Sequence, residues 1–197
     1  MSPTPTRKVR LLLVDDDRLV LSTLGSGLLD AGYEISTAES AEDAEMLLAS
    51  GLRPDLAIVD IRMTGQDGLY LARRLRELDH IPFLMLSAYS EQRMIDQASR
   101  HGALGYLVKP LDTPQLLPAI EAALSRANEL QVLRETRAQL QAALDAERDI
   151  NVAIGITMIQ RQLPRQEAFE QLRKTARSQR RQLAELANEL IRTAQST

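Results

Sequence analysis

The chain of 197 residues has no cysteine and no tryptophan, and only 3% of its residues are aromatic. Without cysteine it can form neither a disulfide framework nor a thiol site. No apolar run approaches the roughly 18 residues that a membrane span needs, and no charged N-terminal segment precedes an apolar one. We therefore expect a cytoplasmic protein. The two histidines, His80 and His101, lack acidic or cysteine neighbours in the sequence and are predicted to be solvated.

The charge of the chain is unevenly distributed. The formal net charge is −3, yet the segment from Arg148 onward carries nine Lys or Arg and five Asp or Glu, a local +4. Residues 1–147 therefore carry −7. An acidic region followed by a basic one predicts different partners for the two. Taken alone, a charge of +4 would also suit a solvated helix surface.

Four short apolar segments each stop at a polar side chain. They end at the triplet Asp15-Asp16-Asp17, at Asp60, at Ser87 and at Lys109. Such runs are typical of parallel strands that are buried on both faces. The carboxyl ends of these strands meet at one edge of a doubly wound sheet, where ligands bind. The sequence therefore predicts an α/β fold with Asp, Ser and Lys side chains together at that edge.

Carboxylates that converge in this way repel one another unless a cation joins them. Oxygen ligands suit Mg²⁺, which favours phosphate partners. A hydroxyl and an ammonium beside the ion would stabilise a phosphoryl group during its transfer. Two alternatives remain open at this point. The triplet Asp15-Asp16-Asp17 could consist of turn or N-cap residues, and Lys109 could form a structural ion pair.

Residues 8–126 resemble the receiver domain of two-component response regulators. The resemblance is carried by the acidic pair, the segment Asp60-Ile61-Arg62-Met63-Thr64-Gly65-Gln66-Asp67-Gly68, the strand ending at Ser87, and Tyr106 with Lys109-Pro110. It implies a flavodoxin-like, five-stranded parallel sheet. The family often has proline where this chain has Thr64, a position that we expect to shape the loop rather than the chemistry.

The resemblance also implies a role for each site residue. Asp60 would be the phosphoacceptor, with a sensor histidine kinase as its donor. Mg²⁺ would be held by Asp15, Asp16, Asp60 and the backbone carbonyl of Arg62. The phosphoryl oxygens would be received by Ser87 and Lys109, and Tyr106 would be the aromatic switch. Such a domain catalyses only its own phosphorylation and dephosphorylation, so we do not expect an enzyme.

A long helix is predicted after the receiver segment, with Thr113 as its cap and Pro114 in its first turn. Between Pro118 and Pro164 the only helix-breaking residue is Gly155, and a straight helix to Gln162 would measure about 75 Å. A 3-4 spacing, mostly apolar, runs through Leu130, Leu133, Arg137, Leu140, Leu144, Glu147, Asn151 and Ile154. It predicts a homodimeric coiled coil over residues 127–147. The alternatives are a solvated single helix and a helix folded back on the receiver.

Two shorter helices are predicted beyond Pro164. The first covers Arg165 to Arg177, and Ser178 is expected to cap the second, from Gln179 to Thr193. Their predicted inward residues are Ala168, Phe169, Leu172, Ala176, Leu183, Leu186, Ala187, Leu190 and Ile191. The end of the long helix should supply a third wall through Val152, Ile156 and Ile159, with Ala153 and Gly155 allowing close approach.

Residues 148–194 resemble an ANTAR domain, the RNA-binding output module of transcription antitermination regulators. The resemblance rests on Val152-Ala153-Ile154-Gly155-Ile156-Thr157-Met158, Glu167-Ala168-Phe169, Leu172-Arg173, Ala176-Arg177 and Leu183-Ala184-Glu185-Leu186-Ala187. The family usually has lysine where this chain has Ile154. The resemblance implies binding of leader-RNA hairpins and suppression of terminators. Residues 1–7 are expected to form a flexible tail.

RNA binding needs positive charge where phosphates pass and side chains that can hold unpaired bases. The candidate residues are Arg165, Arg173, Lys174, Arg177, Arg180 and Arg181. Because aromatic residues are scarce, arginine planes would have to contact the bases. The main alternative is a signalling adaptor whose helical tail binds a protein. A DNA reader is less suited to the tail, because its third helix lacks a polar base-reading face.

Overall fold

The computed structural model describes residues 7–88 and 102–195. The expected tail, apart from Arg7, and His101 lie outside these residues, whereas His80 is exposed as predicted. The chain divides into two compact units, residues 1–130 and 131–197. No helix among the described residues is both long and apolar enough to cross a bilayer.

The first unit contains a five-stranded parallel sheet with the order β2-β1-β3-β4-β5. The strands are β1 (Arg10–Val14), β2 (Glu34–Ala38), β3 (Leu56–Asp60), β4 (Phe83–Ser87) and β5 (Gly105–Val108). The predicted doubly wound parallel fold is confirmed. Its order reverses between β1 and β3, and the acidic residues lie at this reversal.

The central strands β1, β3 and β4 are almost completely buried, as their apolar sequences predict. The expectation of burial is wrong for β5, whose residues are half-buried and whose Val108 is exposed. The reason is that β5 is an edge strand, with β4 as its one strand neighbour among the described residues. The other edge strand, β2, was not singled out from the sequence, because Glu34-Ile35-Ser36-Thr37-Ala38 is largely polar.

Among the described residues, three helices connect the strands: α1 (Arg18–Asp30), α2 (Ala41–Ala49) and α3 (Gly68–Arg74), which continues as a π-helical turn over Leu75–Asp79. Each begins at a side chain that accepts a hydrogen bond from the first turn. These caps are Asp17, Ser40 and Asp67. Asp17 is thus the ordinary N-cap of α1. Asp15 and Asp16 remain as the acidic pair at the sheet edge.

Alternate residues of the strands build two cores, one on each face of the sheet. On one face β-strand side chains such as Val59 and Phe83 pack with α2 and α3. On the other face Ile58 and Leu84 pack with α1 and with Leu116. Leu116 belongs to α4 (Thr113–Arg161), a helix of 49 residues. Pro118 lies inside this helix and does not end it.

The predicted cap of α4 is wrong. The Asp112 carboxylate accepts a hydrogen bond from the Gln115 N–H at 2.9 Å, and the Gln115 side-chain oxygen accepts one from the Asp112 N–H at 3.1 Å. This reciprocal pair is a capping box, so Asp112 rather than Thr113 caps the helix. Thr113 packs instead on Gly27 of α1, where an added Cβ would lie 2.2 Å from the Thr113 hydroxyl.

The second unit packs the end of α4 with α5 (Arg165–Ser178) and α6 (Leu183–Gln195). Its core consists of Ala153, Ile154, Ala168, Leu172, Ala176, Leu186 and Ala187, with Phe169, Leu183 and Leu190 packed against it. The predicted apolar face of α5 is therefore confirmed. Ile191 of α6 is only half-buried.

The predicted start of α6 is four residues too early. Ser178 does not cap α6, because it is the last residue of α5 and its hydroxyl donates to the Thr175 carbonyl at 2.8 Å. The turn that follows contains Arg180 with a φ of 54°, a left-handed conformation that interrupts helical winding.

The predicted inner face of α4 is wrong for Val152 and Ile159, whereas Ile156 is half-buried and Ala153 lies in the core as expected. Val152 is 43% exposed and Ile159 is 82% exposed, whereas Ala153, Ile154 and Thr157 are buried. A Cβ added at Gly155 would meet nothing within 4 Å, so this glycine does not provide close approach within the chain. Ile154 was predicted to belong to the seam, the apolar face through which α4 would pair in a coiled coil. It cannot belong to that face, because it is buried in the three-helix core. The apolar stripes for the core and for the seam lie next to each other on α4, and sequence spacing alone did not separate them.

Candidate phosphoacceptor and metal site

The acidic pair and Asp60 meet at the carboxyl edge of the sheet. Asp15 and Asp16 follow β1 directly, and Asp60 is the last residue of β3, the strand paired with β1. One carboxylate oxygen from each of the three residues lies within 4.8 Å of the other two. Asp15 and Asp60 are buried, whereas Asp16 is exposed. The predicted convergence of carboxylates is thus present.

Lys109 joins the two buried carboxylates. Its Nζ lies 2.5 Å from Asp15 Oδ2 and 3.1 Å from Asp60 Oδ2. Burial alone would lower the pKa of Lys109, but the hydrogen bond with Asp15 and the charges of both carboxylates outweigh burial and raise this pKa above its usual value. Lys109 therefore remains a cation in the site. It is an ion-pair partner, as the alternative interpretation held, and it also faces the acceptor.

Asp60 holds a negative charge in an unfavourable position. Burial raises the pKa of its carboxyl above the usual value and Asp15 adds to this effect, while the charge of Lys109 opposes it. Only one of its oxygens, Oδ2, contacts Lys109. The other, Oδ1, is buried and has no hydrogen-bond partner among the described residues. A buried carboxylate oxygen without a partner is costly unless a ligand satisfies it.

The donor set fits a magnesium ion. Three carboxylates offer hard oxygen ligands within a small volume, and the unpartnered oxygen of Asp60 points to a missing cationic neighbour. Mg²⁺ takes such oxygens together with water and phosphate oxygens. Both oxygens of Asp15 are oriented by the protein. Oδ2 contacts Lys109, and Oδ1 accepts a hydrogen bond from the Asp17 N–H at 3.0 Å.

Asp16 has a partner that the sequence analysis did not foresee. Both the backbone N–H and the hydroxyl of Thr64 donate to Asp16 Oδ2, each at 2.8 Å. These bonds lower the pKa of Asp16. The expectation that Thr64 shapes only the loop is therefore too narrow. The sequence contained one signal for this contact: Thr64 carries a hydroxyl four residues after Asp60, the last residue of β3.

Ser87 and Tyr106 lie on neighbouring strands at the same side of the sheet. Ser87 is the last residue of β4 and is buried, and its carbonyl accepts a hydrogen bond from the Lys109 N–H at 2.7 Å. Tyr106 is half-buried and packs against the core that includes α2 and α3. Arg62 is exposed on the loop after β3. A Cβ at Gly68, where that loop ends, would lie 1.9 Å from the Asp60 carbonyl oxygen, so the loop packs tightly beneath the acceptor.

The RNA-binding candidates lie on α5 and in the turn after it. Arg173, Lys174 and Arg177 are exposed on the side of α5 away from its buried residues, and they line one shallow depression with Glu170. Arg180 is exposed in the following turn. The remaining two candidates have acceptors within the unit. Arg165 donates to Asn151 at 2.8 Å, and Arg181 forms an ion pair with Glu189.

Comparisons with known proteins identify both regions. Residues 11–121 match the family described as the response regulator receiver domain, and residues 138–191 match the ANTAR domain. The chain therefore belongs to the response regulators of two-component systems, with an ANTAR domain after its receiver domain. Both resemblances seen in the sequence are confirmed.

Individual relatives agree with this assignment. The transcriptional regulatory protein PdtaR of Mycobacterium tuberculosis is 31% identical over 185 residues, which cover 93% of this chain and 90% of the relative. Protein PetR of Rhodobacter capsulatus is 38% identical over 66% of this chain and 53% of its own length. The chemotaxis response regulator CheY4 of Vibrio cholerae superposes with a TM-score of 0.55 at 28% identity, covering 59% of this chain and 99% of CheY4.

Proposed function

We propose that phosphorylation of Asp60 controls the binding of hairpin RNA by the ANTAR domain, and that this binding prevents transcription termination in leader transcripts. The observation that carries the proposal is the unpartnered Oδ1 of Asp60 beside Asp15 and Lys109, in a chain that also contains an ANTAR domain. The receiver acts as a switch and the ANTAR domain as its output.

The chemistry assigned to Asp60 is phosphoryl transfer from the phosphohistidine of a sensor kinase. Oδ1 of Asp60 attacks the phosphorus, the phosphorus–nitrogen bond breaks, and the imidazole nitrogen leaves with the electron pair and takes a proton. A magnesium ion held by Asp15, Asp16, Asp60 and the Arg62 carbonyl would neutralise charge on the phosphoryl oxygens. Positioning and electrostatic stabilisation are the main tasks of the protein in such a transfer.

Lys109 and Ser87 would receive the phosphoryl oxygens. The ammonium of Lys109 already lies 3.1 Å from Asp60, so it can follow the charge from the carboxylate to the phosphoryl group. Ser87 ends the strand next to β3, where its hydroxyl can turn toward that group. Because the Ser87 carbonyl is bonded to the Lys109 backbone, a shift of Ser87 would be transmitted to β5 and Tyr106.

The proposed RNA surface is the exposed basic face of α5 formed by Arg173, Lys174 and Arg177. Among the described residues Lys174 and Arg177 have no ion-pair partner, and the contact between Arg173 and Glu170 is long at 3.7 Å and exposed. Such a contact is worth little and is readily given up for a phosphate. We include Arg165, Arg180 and Arg181 as flanking contacts. Ile154 lies in the core, so the RNA surface does not depend on a lysine there.

Homodimerisation through α4 is the second part of the proposal. Leu133, Leu140 and Leu144 lie along one side of the helix and are 65%, 62% and 53% exposed. Val152 and Ile159, beyond the predicted coiled-coil segment, are further exposed apolar side chains on the same helix. A helix with such a narrow apolar stripe gains most by pairing with a second copy. A dimer would present two basic faces to one RNA.

A salt titration of hairpin-RNA binding tests the RNA surface. Replacing Arg173, Lys174 and Arg177 by alanine should weaken binding and lower the salt slope by roughly 0.7 to 0.9 for each lost phosphate contact. The matched control replaces Lys8, Arg73 and Arg126, which are exposed in the first unit and give the same change in net charge. We expect the control to bind as the parent does. If the parent binds no hairpin in either phosphorylation state, the adaptor function replaces this one.

A further inference from the structure

The loop between β3 and α3 is hydrogen-bonded to Asp16 through Thr64. Thr64 donates its backbone N–H and its hydroxyl to the same oxygen of Asp16, Oδ2, although the two residues are 48 positions apart. Both side chains are exposed, so the surrounding core does not hold the Asp16 carboxylate in place. These two hydrogen bonds are therefore the main contacts that hold the Asp16 carboxylate next to the loop after β3.

Thr64 itself lies on a firmly held backbone. Ile61 and Met63, which precede it, are buried, and the Gly68 N–H donates to the Ile61 carbonyl at 2.9 Å. Gly68 also packs directly on the Asp60 carbonyl, where a Cβ would lie 1.9 Å away. The donors of Thr64 thus have a defined position relative to Asp60. Their bonds to Asp16 fix the distance between two carboxylates that come from different strands.

We propose that Thr64 is a positioning residue that holds the Asp16 carboxylate ready for the divalent cation. Three neighbouring carboxylates repel one another, and an exposed aspartate can relieve this repulsion by turning into solvent. The Thr64 bonds oppose that movement, and because both use Oδ2 they leave Oδ1 unoccupied by Thr64. Mg²⁺ requires nearly octahedral geometry, so a ligand that is already oriented binds it more tightly. The inference rests on the proposed cation site.

The test compares the magnesium affinity of full-length variants by following amide shifts in an NMR titration. Thr64→Val keeps the shape and the backbone donor but removes the hydroxyl. It should weaken magnesium binding by about tenfold, the lower end of the usual range for loss of a hydrogen bond to a metal ligand. Thr64→Ser retains both donors and should bind nearly as the parent does. Gln66→Ala changes an exposed residue of the same loop and serves as the matched control.

Labelling with acetyl phosphate adds a second readout. The Val variant should need more magnesium for half-maximal labelling but should reach the rate of the parent at saturating magnesium. Magnesium affinity of the Val variant equal to or above that of the parent would overturn the role of Thr64. Equal weakening in the Ser variant would do the same. If the parent itself binds no magnesium while remaining folded, both this inference and the proposed cation site are wrong.

Discussion

At the scale of single residues, the site is a balance of charges that is incomplete within the chain. Two buried carboxylates, Asp15 and Asp60, share one ammonium from Lys109, and one oxygen of Asp60 lacks a partner among the described residues. Removing one member of a buried charged pair is costly, whereas adding a cation or a phosphoryl group completes the set. A cation or phosphoryl group beside Asp60 would therefore give its unpartnered oxygen a neighbour.

Asp60→Asn should abolish acetyl-phosphate labelling, because an amide does not attack phosphorus. Asp16→Asn should leave the fold intact but slow labelling at limiting magnesium, since this exposed residue is assigned to the cation. Phosphate-affinity electrophoresis of the parent and both variants measures the labelling. Continued labelling of the Asp60 variant would show that the acceptor lies elsewhere.

Asp60→Asn should also change the dependence of stability on pH. Because burial raises the pKa of Asp60, the folded protein holds this proton more tightly than the unfolded chain does, where the usual value is 3.8. Stability is then lost as the pH rises from about 4 through the pKa of the folded state. The Asn variant lacks this loss.

Thermal unfolding in EDTA between pH 4 and pH 7.5 measures the effect. The Tm of the Asn variant minus that of the parent should increase with pH. A difference that stays constant across the range would mean that Asp60 has no raised pKa.

At the scale of elements, local sequence determined most helices and strands, and contacts between distant segments determined the exceptions. The strands β1, β3 and β4 were predictable because their side chains are apolar on both faces, and such segments are stable only when both faces are buried in a sheet. β2 was not, since an edge strand tolerates Glu34 and Ser36 and gives no apolar run. The Asp112 cap was missed because Pro114 suggested a start one residue later, and only the Gln115 contact identifies the box.

In the candidate site, too, some contacts could be predicted from local sequence and others depended on distant segments. The carboxylates and Lys109 were predictable from strand ends, because parallel strands bring these ends together. The Thr64 contact was not, because it depends on the path of a loop across to β1. In α4 the spacing indicated apolar stripes but could not tell which one faces α5 and α6. Ile154 was therefore assigned to the seam although it is in the core.

Asp112→Ala should destabilise the first unit by about 1 kcal/mol, the usual loss for an N-cap residue. Thr113→Ser keeps a small side chain next to Gly27 and should have a smaller effect. Urea unfolding followed by circular dichroism compares the two. If the Thr113 variant were the more damaging one, Thr113 rather than Asp112 would be the residue that fixes the helix start.

The seam on α4 can be tested with charged substitutions. Leu140→Glu combined with Leu144→Glu should convert a dimer to a monomer at micromolar concentration, because four added charges would face one another in the pair. The control, Ala138→Glu with Ala142→Glu, adds the same charges at exposed positions on the opposite side of the helix. Sedimentation velocity distinguishes the forms. An unchanged sedimentation coefficient for the Leu variant would exclude this seam as the dimer interface.

At the scale of the whole molecule, the acidic receiver and the basic ANTAR domain suit different partners. Residues 1–147 carry −7 and the remainder carries +4, so the proposed phosphoacceptor and the proposed RNA surface belong to regions of opposite net charge. The helix α4 begins in the first unit and ends in the second without interruption, and it is the element that both units share. Any effect of Asp60 on RNA binding requires a difference in affinity between the two phosphorylation states.

The affinity for a leader-RNA hairpin, measured at one salt concentration with and without phosphorylation, tests this link most directly. We expect phosphorylation of the parent to tighten binding by about 5-fold to 150-fold, the usual range of coupling between two sites. Asp60→Asn, treated in the same way, should show no change. Equal affinity of the phosphorylated and unphosphorylated parent, with phosphorylation verified, would contradict the claim that the receiver controls RNA binding.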